Sequence, residues 1–557
     1  MEKRTLRSST RAAAAAAAGS GLHDDKNNNG KPTTTTTTGA GKFKGLYKAN
    51  PIARTAKEGI NKRVSDDVKL RKQRRDELVS AKRFKRSDDA KEATDGETEL
   101  SQEQIDVVDG QLKSGKSEQI ALALKALSDY LTQFPGSDVL QTFVSDPGFL
   151  TIIEGILTGT DAEKQLLATS VVTNMAAGGS AELCEAALNT APHLISFLES
   201  QNVALVDQSA WALGNIAAEG PTFRDRLKDN GVLPPLIKLL QSKDLNLVQT
   251  SCFALSSMAR GEGANQDALV KAGLIKPLLH HLRVDTEPAV IAEAAWVVVY
   301  LTSGPDNVST QLMEHQLIPL LVAPLKDFLD QKALAIPLIR ALGNIASGPD
   351  GNTLSLIHEP GFLPSMLQFI QSDCRPVKKE SLWLMSNITA EHQSTDLIKV
   401  IEAGFIPVLS QIATHQNFDI RKEAAYSLIN LALHGPDYAK ILPHRELLPG
   451  FLDFLRTKDQ ELIQLGLRYV QLLLTGIPDG PALFSELNGV DALEEVILSD
   501  DRDQHRLASL LMDTYFGENN NGSRVPTPIP GTPDPHGGNP SSDAPPQYLK
   551  RASMSAV

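Results

Sequence analysis

WALGNIAAEG at residues 211–220 and RALGNIASG at 340–348 are nearly the same string, and their asparagines, Asn215 and Asn344, stand 129 residues apart. Two further copies lie between them, SCFALSSMARG (251–261) and AAWVVVYLTSG (294–304). Others flank them: SVVTNMAAGG (170–179), WLMSNITA (383–390) and AYSLINLALHG (425–435). Taking one position from each gives a ladder of Asn174, Asn215, Ser257, Tyr300, Asn344, Asn387 and Asn430, with steps of 41, 42, 43, 44, 43 and 43 residues. Each rung sits in an Ala/Leu-rich stretch that predicts helix. Glycines after most rungs (Gly178, Gly220, Gly261, Gly304, Gly348, Gly435) are expected as helix C-caps.

A second ladder keeps the same period. Prolines stand at 192, 234, 277, 319, 364, 407 and 449, each ahead of a Leu/Ile-rich run. Proline suits a helix's first turn because it has no amide there to leave unpaired. One period upstream reaches Leu131, and one and two periods downstream reach Leu473 and Phe516, which makes ten repeats. A period of ~40–47 residues with two or three helices is the signature of armadillo and HEAT arrays. Glycine before several of the proline-led helices (Gly231, Gly273, Gly361, Gly404) favours armadillo, whose short first helix turns sharply into the second. The predicted fold is therefore all-α, a right-handed superhelical solenoid of about ten armadillo repeats over residues 102–517, with a concave groove.

Composition agrees. The chain has 557 residues, 41% of them apolar and 5% aromatic, more than one hydrophobic core absorbs. Cys184, Cys252 and Cys374 are too scattered for a zinc or disulfide framework and predict reduced thiols. No apolar run approaches a membrane span; the longest, Ala294–Leu301, belongs to a buried helix. Net charge is −12, unevenly placed. Residues 42–86 hold 16 Lys/Arg against 5 Asp/Glu, a balance of +11, so the remainder carries −12 − 11 = −23. A basic arm beside an acidic body argues against nucleic acid as the body's partner and for basic ligands.

Four residues before several rungs stands an aromatic: Trp211/Asn215, Trp296/Tyr300, Trp383/Asn387 and Tyr426/Asn430, which takes in all three tryptophans of the chain. Residues i and i+4 share a helix face. Glu293, Glu380 and Glu423 precede their aromatics by three residues, and Glu219 follows Asn215 by four. An amide can bond an extended peptide backbone, indole faces can flank cationic stems, and carboxylates can hold the tips. The expected ligand is an extended Lys/Arg-rich peptide.

With these strings in place the chain resembles importin-α (karyopherin-α). The likeness runs from about residue 42 to 517 and is carried by WALGNIAAEG, WVVVYLTSG (296–304), RALGNIASG and WLMSNITA. The resemblance implies a nuclear import adaptor with two binding sites for nuclear localisation signals. Asn174, Trp211, Asn215, Glu219 and Phe253 would belong to the major site. Glu293, Trp296, Tyr300, Arg340, Asn344, Glu380, Trp383, Asn387, Glu423, Tyr426 and Asn430 would form the central and minor ones. Departures are Ser170 where the family has Trp, Phe253 and Ser257 in place of a Trp/Asn pair, and Tyr426 for Trp; the minor side is the less eroded.

Residues 42–88 resemble the family's importin-β-binding segment. Arg71, Lys72, Arg74, Arg75, Lys82, Arg83, Lys85 and Arg86 would hold importin-β and, in its absence, occupy the groove. Residues 1–41, with Ala12–Ala18 and Thr33–Thr38, are predicted disordered low complexity; 89–101 an acidic linker; 518–557 a disordered tail. The resemblance further implies cargo proteins as partners, an export factor that recycles the adaptor with Ran acting indirectly, and shuttling between cytoplasm and nucleus. No cofactor, metal, direct nucleic-acid contact, membrane insertion or enzymatic activity is expected. Gly110–Ser117 (GQLKSGKS) fits the P-loop pattern, but helical segments on both sides argue against one, and Ser117 is expected as an N-cap. A β-catenin-like scaffold is the main alternative; it needs neither the basic arm nor the aromatic ladder.

Overall fold

The computed structural model describes residues 101–517, apart from 134–138, 178–179, 261–263, 349, 391–393 and 500. The expected low-complexity leader, basic arm, acidic linker up to residue 100, C-terminal tail, Gly178 and Gly261 lie outside the described residues. Every regular element among the described residues is helical.

Ten long helices carry the repeat: α1 (Ser117–Gln133), α2 (Ala162–Ala177), α3 (Val203–Glu219), α4 (Leu245–Met258), α5 (Pro288–Thr302), α6 (Lys332–Ala346), α7 (Arg375–Thr389), α8 (Phe418–Ala432), α9 (Gln460–Gly476) and α10 (Arg502–Phe516). Each packs along the next, and pairs of shorter helices, such as Pro221–Asp229 with Leu233–Leu239, join them. This is the armadillo solenoid. One contiguous apolar core runs from Val108 to Leu511, as expected where each repeat buries its face only against its neighbours.

Local chemistry explains the boundaries. Pro192 and Pro234 occupy the first turn of their short helices, as do Pro277, Pro319, Pro364 and Pro407. Pro449 instead falls inside His444–Leu455, whose start is set by Pro443 six residues earlier. Of the long helices, α3, α4, α9 and α10 begin on side-chain caps: Asn202, Asp244, Asp459 and Asp501 each accept backbone N–H bonds from the first turn. The far ends of α3, α4 and α6 are sealed from the following short helix. Arg224 donates to the Ala217 carbonyl (3.0 Å), Gln266 to Ala259 (3.1 Å) and Thr353 to Ala346 (3.3 Å), always at an offset of seven.

Of the described glycines after the rungs, Gly220, Gly304 and Gly348 are not left-handed caps, whereas Gly435 has a positive φ of 145°. Gly220 is extended (φ 177°), and Gly304 is needed because the Gln266 side chain fills the space a Cβ would take. Gly115 in the GKS turn has φ 68°, and left-handed glycines stand before four proline-led helices, with φ of 81° at Gly231, 88° at Gly273, 85° at Gly361 and 86° at Gly404. Two repeats place Gln316 (φ 57°) and Asn488 (φ 58°) at this corner instead. Left-handed geometry costs a side-chain-bearing residue about 1 kcal/mol or more. Gln316→Gly should therefore stabilise the chain by about 1 kcal/mol, read as a higher urea midpoint at unchanged slope.

The GKS turn joins helix Gln102–Leu112 to α1, so no strand leads into it. Ser117 is the first helical residue; the carbonyl that accepts the first helical bond, from Ile120, belongs to Lys116, so Ser117 does not cap. Among the described residues no group of three His, Cys, Asp or Glu could hold a metal, and no single helix is long and apolar enough to cross a membrane.

Two histidines are built into the core. His281 Nε2 pairs with the Leu240 carbonyl (2.6 Å); His444 Nε2 pairs with the Ala439 carbonyl and Nδ1 with the Tyr469 hydroxyl, both at 2.8 Å. The carbonyl takes the imidazole N–H, so at His444 the other nitrogen accepts from the phenol, and the ring is neutral. Burial holds both below the ordinary histidine value. The unfolded chain then binds more protons, so stability is full above about pH 6.5 and falls as pH drops below it. Replacing His444 by Gln should flatten that slope in denaturation midpoints compared between pH 7.5 and 5.

Candidate functional site

The rung residues and their aromatic partners lie on one face of consecutive long helices. Their amides do something sequence spacing did not show. Asn215 Nδ2 donates to the Thr173 carbonyl (3.3 Å), Asn344 Nδ2 to Val299 (3.0 Å), Asn387 Nδ2 to Gly343 (3.1 Å) and Asn430 Nδ2 to Ser386 (2.9 Å). In each case the acceptor is the residue just before the rung of the preceding repeat. Only the amide nitrogen can pair with a carbonyl oxygen, which fixes how each side chain is turned. The oxygens point elsewhere, and Asn387 Oδ1 and Asn430 Oδ1 are buried without a hydrogen-bond partner. Asn174 differs: partly exposed, it donates within its own helix to the Ser170 carbonyl (3.1 Å).

The residue before a rung has a second neighbour. A Cβ on Gly214 would come 2.6 Å from the Phe253 ring, and one on Gly343 would come 2.1 Å from the Trp383 indole. Each ring therefore packs against the helix of the preceding repeat, over a glycine. Other floor residues are small, Thr173, Ser256 and Ser386, except Val299. The repeat after Val299 carries Arg340 in the aromatic position.

Arg340 is a buried cation with two partners. Its guanidinium grips Glu380 through Nε (3.0 Å) and Nη2 (2.5 Å) and lies 5.7 Å from the centre of the Trp296 ring. Trp296 stacks on Tyr300, centroids 6.5 Å apart, and Arg260 covers Tyr300 at 5.5 Å. At the far end the Tyr426 hydroxyl donates to Glu461 (2.8 Å), which also takes Lys422 (3.0 Å). Arg260, Lys422 and Glu461 were not picked out by sequence; each lies outside the aromatic/amide register that guided the search.

Exposure varies along the row. Trp211 and Phe253 are partly exposed and Glu219 is exposed, whereas Glu293, Trp296, Tyr300, Trp383, Glu423 and Tyr426 are buried. Trp211 and Phe253 touch, with centroids 5.6 Å apart and planes tilted by 37°. In repeat two, Ser170 meets Ser128 of repeat one (2.8 Å) where an indole was absent. His280 and His281 meet edge to face and take no part in this row.

Fold and site define an armadillo-repeat protein whose long helices present a row of aromatic and amide side chains. A family model described as TMCO6 matches residues 111–514. Importin subunit alpha-9 of Arabidopsis thaliana is 31% identical over 81% of this chain and 93% of its own length. Importin subunit alpha-2 of Oryza sativa subsp. japonica is 33% identical over 41% of this chain and 46% of its own. The crystal structure of an engineered protein, 24% identical, superposes with a TM-score of 0.63 over 73% of this chain and 98% of that one. The chain belongs to the importin subunit alpha family and, over residues 111–514, to the family described as TMCO6.

The close ring-on-glycine packing has a direct consequence. Gly343→Ala must displace the Trp383 indole, a change expected to cost about 1–3 kcal/mol. Urea titration together with a red shift of tryptophan emission would register it.

Proposed function

We propose that this chain is a nuclear import adaptor whose row of long helices binds an extended, Lys/Arg-rich nuclear localisation signal. The observation that carries this reading is the pair of buried, unpartnered acceptors Asn387 Oδ1 and Asn430 Oδ1 on successive helices. A buried acceptor without a donor costs about 1–3 kcal/mol. The N–H groups of an extended peptide would supply the missing donors. The family's name and the charge of −23 on the rest of the chain against +11 in residues 42–86 support the same reading.

In this proposal Asn174, Trp211, Asn215, Glu219 and Phe253 form the first binding stretch. Glu380, Trp383, Asn387, Glu423, Tyr426 and Asn430 form the second. Glu293, Trp296, Tyr300, Arg340 and Asn344 lie between them, with the Arg340 guanidinium as a built-in cation that sets the stretches apart. The basic segment 42–88 links cargo to importin-β and, tethered at an effective concentration of roughly millimolar, competes for the groove through Lys82, Arg83, Lys85 and Arg86. Export-factor recycling and shuttling between cytoplasm and nucleus follow from the same role.

The test is peptide binding by fluorescence anisotropy. Removing residues 1–88 should tighten binding of a basic signal peptide. In that background, replacing Asn387 and Asn430 together by Ala should weaken it about tenfold or more, at two hydrogen bonds of ~0.5–1.5 kcal/mol each. Equal affinities for the intact and shortened chains would remove the autoinhibitory role. Unchanged affinity in the double variant would remove the groove reading.

A further inference from the structure

The contact between Trp211 and Phe253 bears on which basic residue the first stretch accepts. A lysine stem held between two rings needs the ring planes about 7–8 Å apart, twice a carbon–carbon contact of ~3.5–4.0 Å. The observed centroids are 5.6 Å apart. That separation lies within the range of directly packed aromatic pairs, so nothing fits between the rings. Phe253 is seated there by its neighbour, for its ring rests on Gly214, where even a methyl group would come within 2.6 Å. The two rings thus meet as a closed, tilted pair, and both keep part of their surface exposed.

Such a pair treats the two cations differently. A lysine gains from a ring mainly by enclosing its flexible alkyl stem, which a closed pair does not allow. A guanidinium is planar and weakly hydrated, and it stacks on one aromatic surface without a second wall. We propose that Phe253 is a specificity-determining residue that closes the slot between repeats three and four and makes this stretch select arginine over lysine. This inference rests on the basic-peptide reading above and adds to it the identity of the residue preferred at that position.

The experiment uses the full-length chain and two labelled peptides of identical length and charge, one with only lysine and one with only arginine at its basic positions. Any competition from the chain's own segment weakens both peptides alike and leaves their ratio intact. The natural chain should bind the arginine peptide about fivefold more tightly. Phe253→Ala opens the slot and should bring the ratio to within about twofold. Phe253→Val, whose smaller side chain also opens the slot but keeps part of the apolar packing on Gly214, should do the same and guards against a folding defect in the alanine variant. Equal binding of the two peptides by the natural chain, or an arginine preference that survives in both variants, would overturn the inference and leave the basic-peptide reading standing. Binding of neither peptide would overturn both.

Discussion

Four of the joints between long helices depend on a hydrogen bond from one repeat's asparagine to a main-chain carbonyl of the repeat before it. A helical carbonyl already accepts one bond, from the amide four residues on, and has a second lone pair available. Asn215, Asn344, Asn387 and Asn430 use that second position on Thr173, Val299, Gly343 and Ser386. The asparagines pay the low helix propensity of their type and in exchange set the register between long helices. Apolar packing alone is non-directional and would permit sliding.

Register then decides where aromatic rings can go. A ring four residues before the rung position reaches the floor residue of the preceding repeat, and where that residue is glycine the ring meets bare backbone, as Phe253 does at Gly214 and Trp383 at Gly343. Where the floor is Val299 the next repeat offers Arg340, whose long side chain reaches both Trp296 and Glu380. The row of side chains is set by the size of the residue beneath each one as much as by the side chains themselves.

The fold was legible because its signal is periodic: an asparagine or proline repeated at about 43 residues points to the same solenoid whatever the local detail. The pairing of Trp383 with Asn387 on one helix face followed from the same logic. The direction of each amide did not. Sequence spacing suggested that asparagine faces a ligand with both its atoms, whereas Nδ2 turns inward to a partner 42 to 45 residues away and only the oxygen is left. Glu380 was read as a carboxylate for a ligand's cation, and the structure gives it Arg340, 40 residues distant. Ladder position says which helix face a residue occupies; it does not say which neighbour across the interface reaches it first. One glycine was misassigned for a related reason, although Gly220 does cap its helix as expected. Gly304 answers to Gln266, a residue 38 positions earlier, and not to its own helix end.

The four carbonyls that receive the asparagines belong to threonine, valine, glycine and serine. Because the bond is to the main chain, it is indifferent to the side chain that shares the residue. Mutation can alter the floor, and with it the ring above, without unfastening one repeat from the next. Docking is thereby inherited separately from recognition. Thr173, Val299 and Ser386 can each be exchanged for another residue while the joints held by their main-chain carbonyls stay fastened.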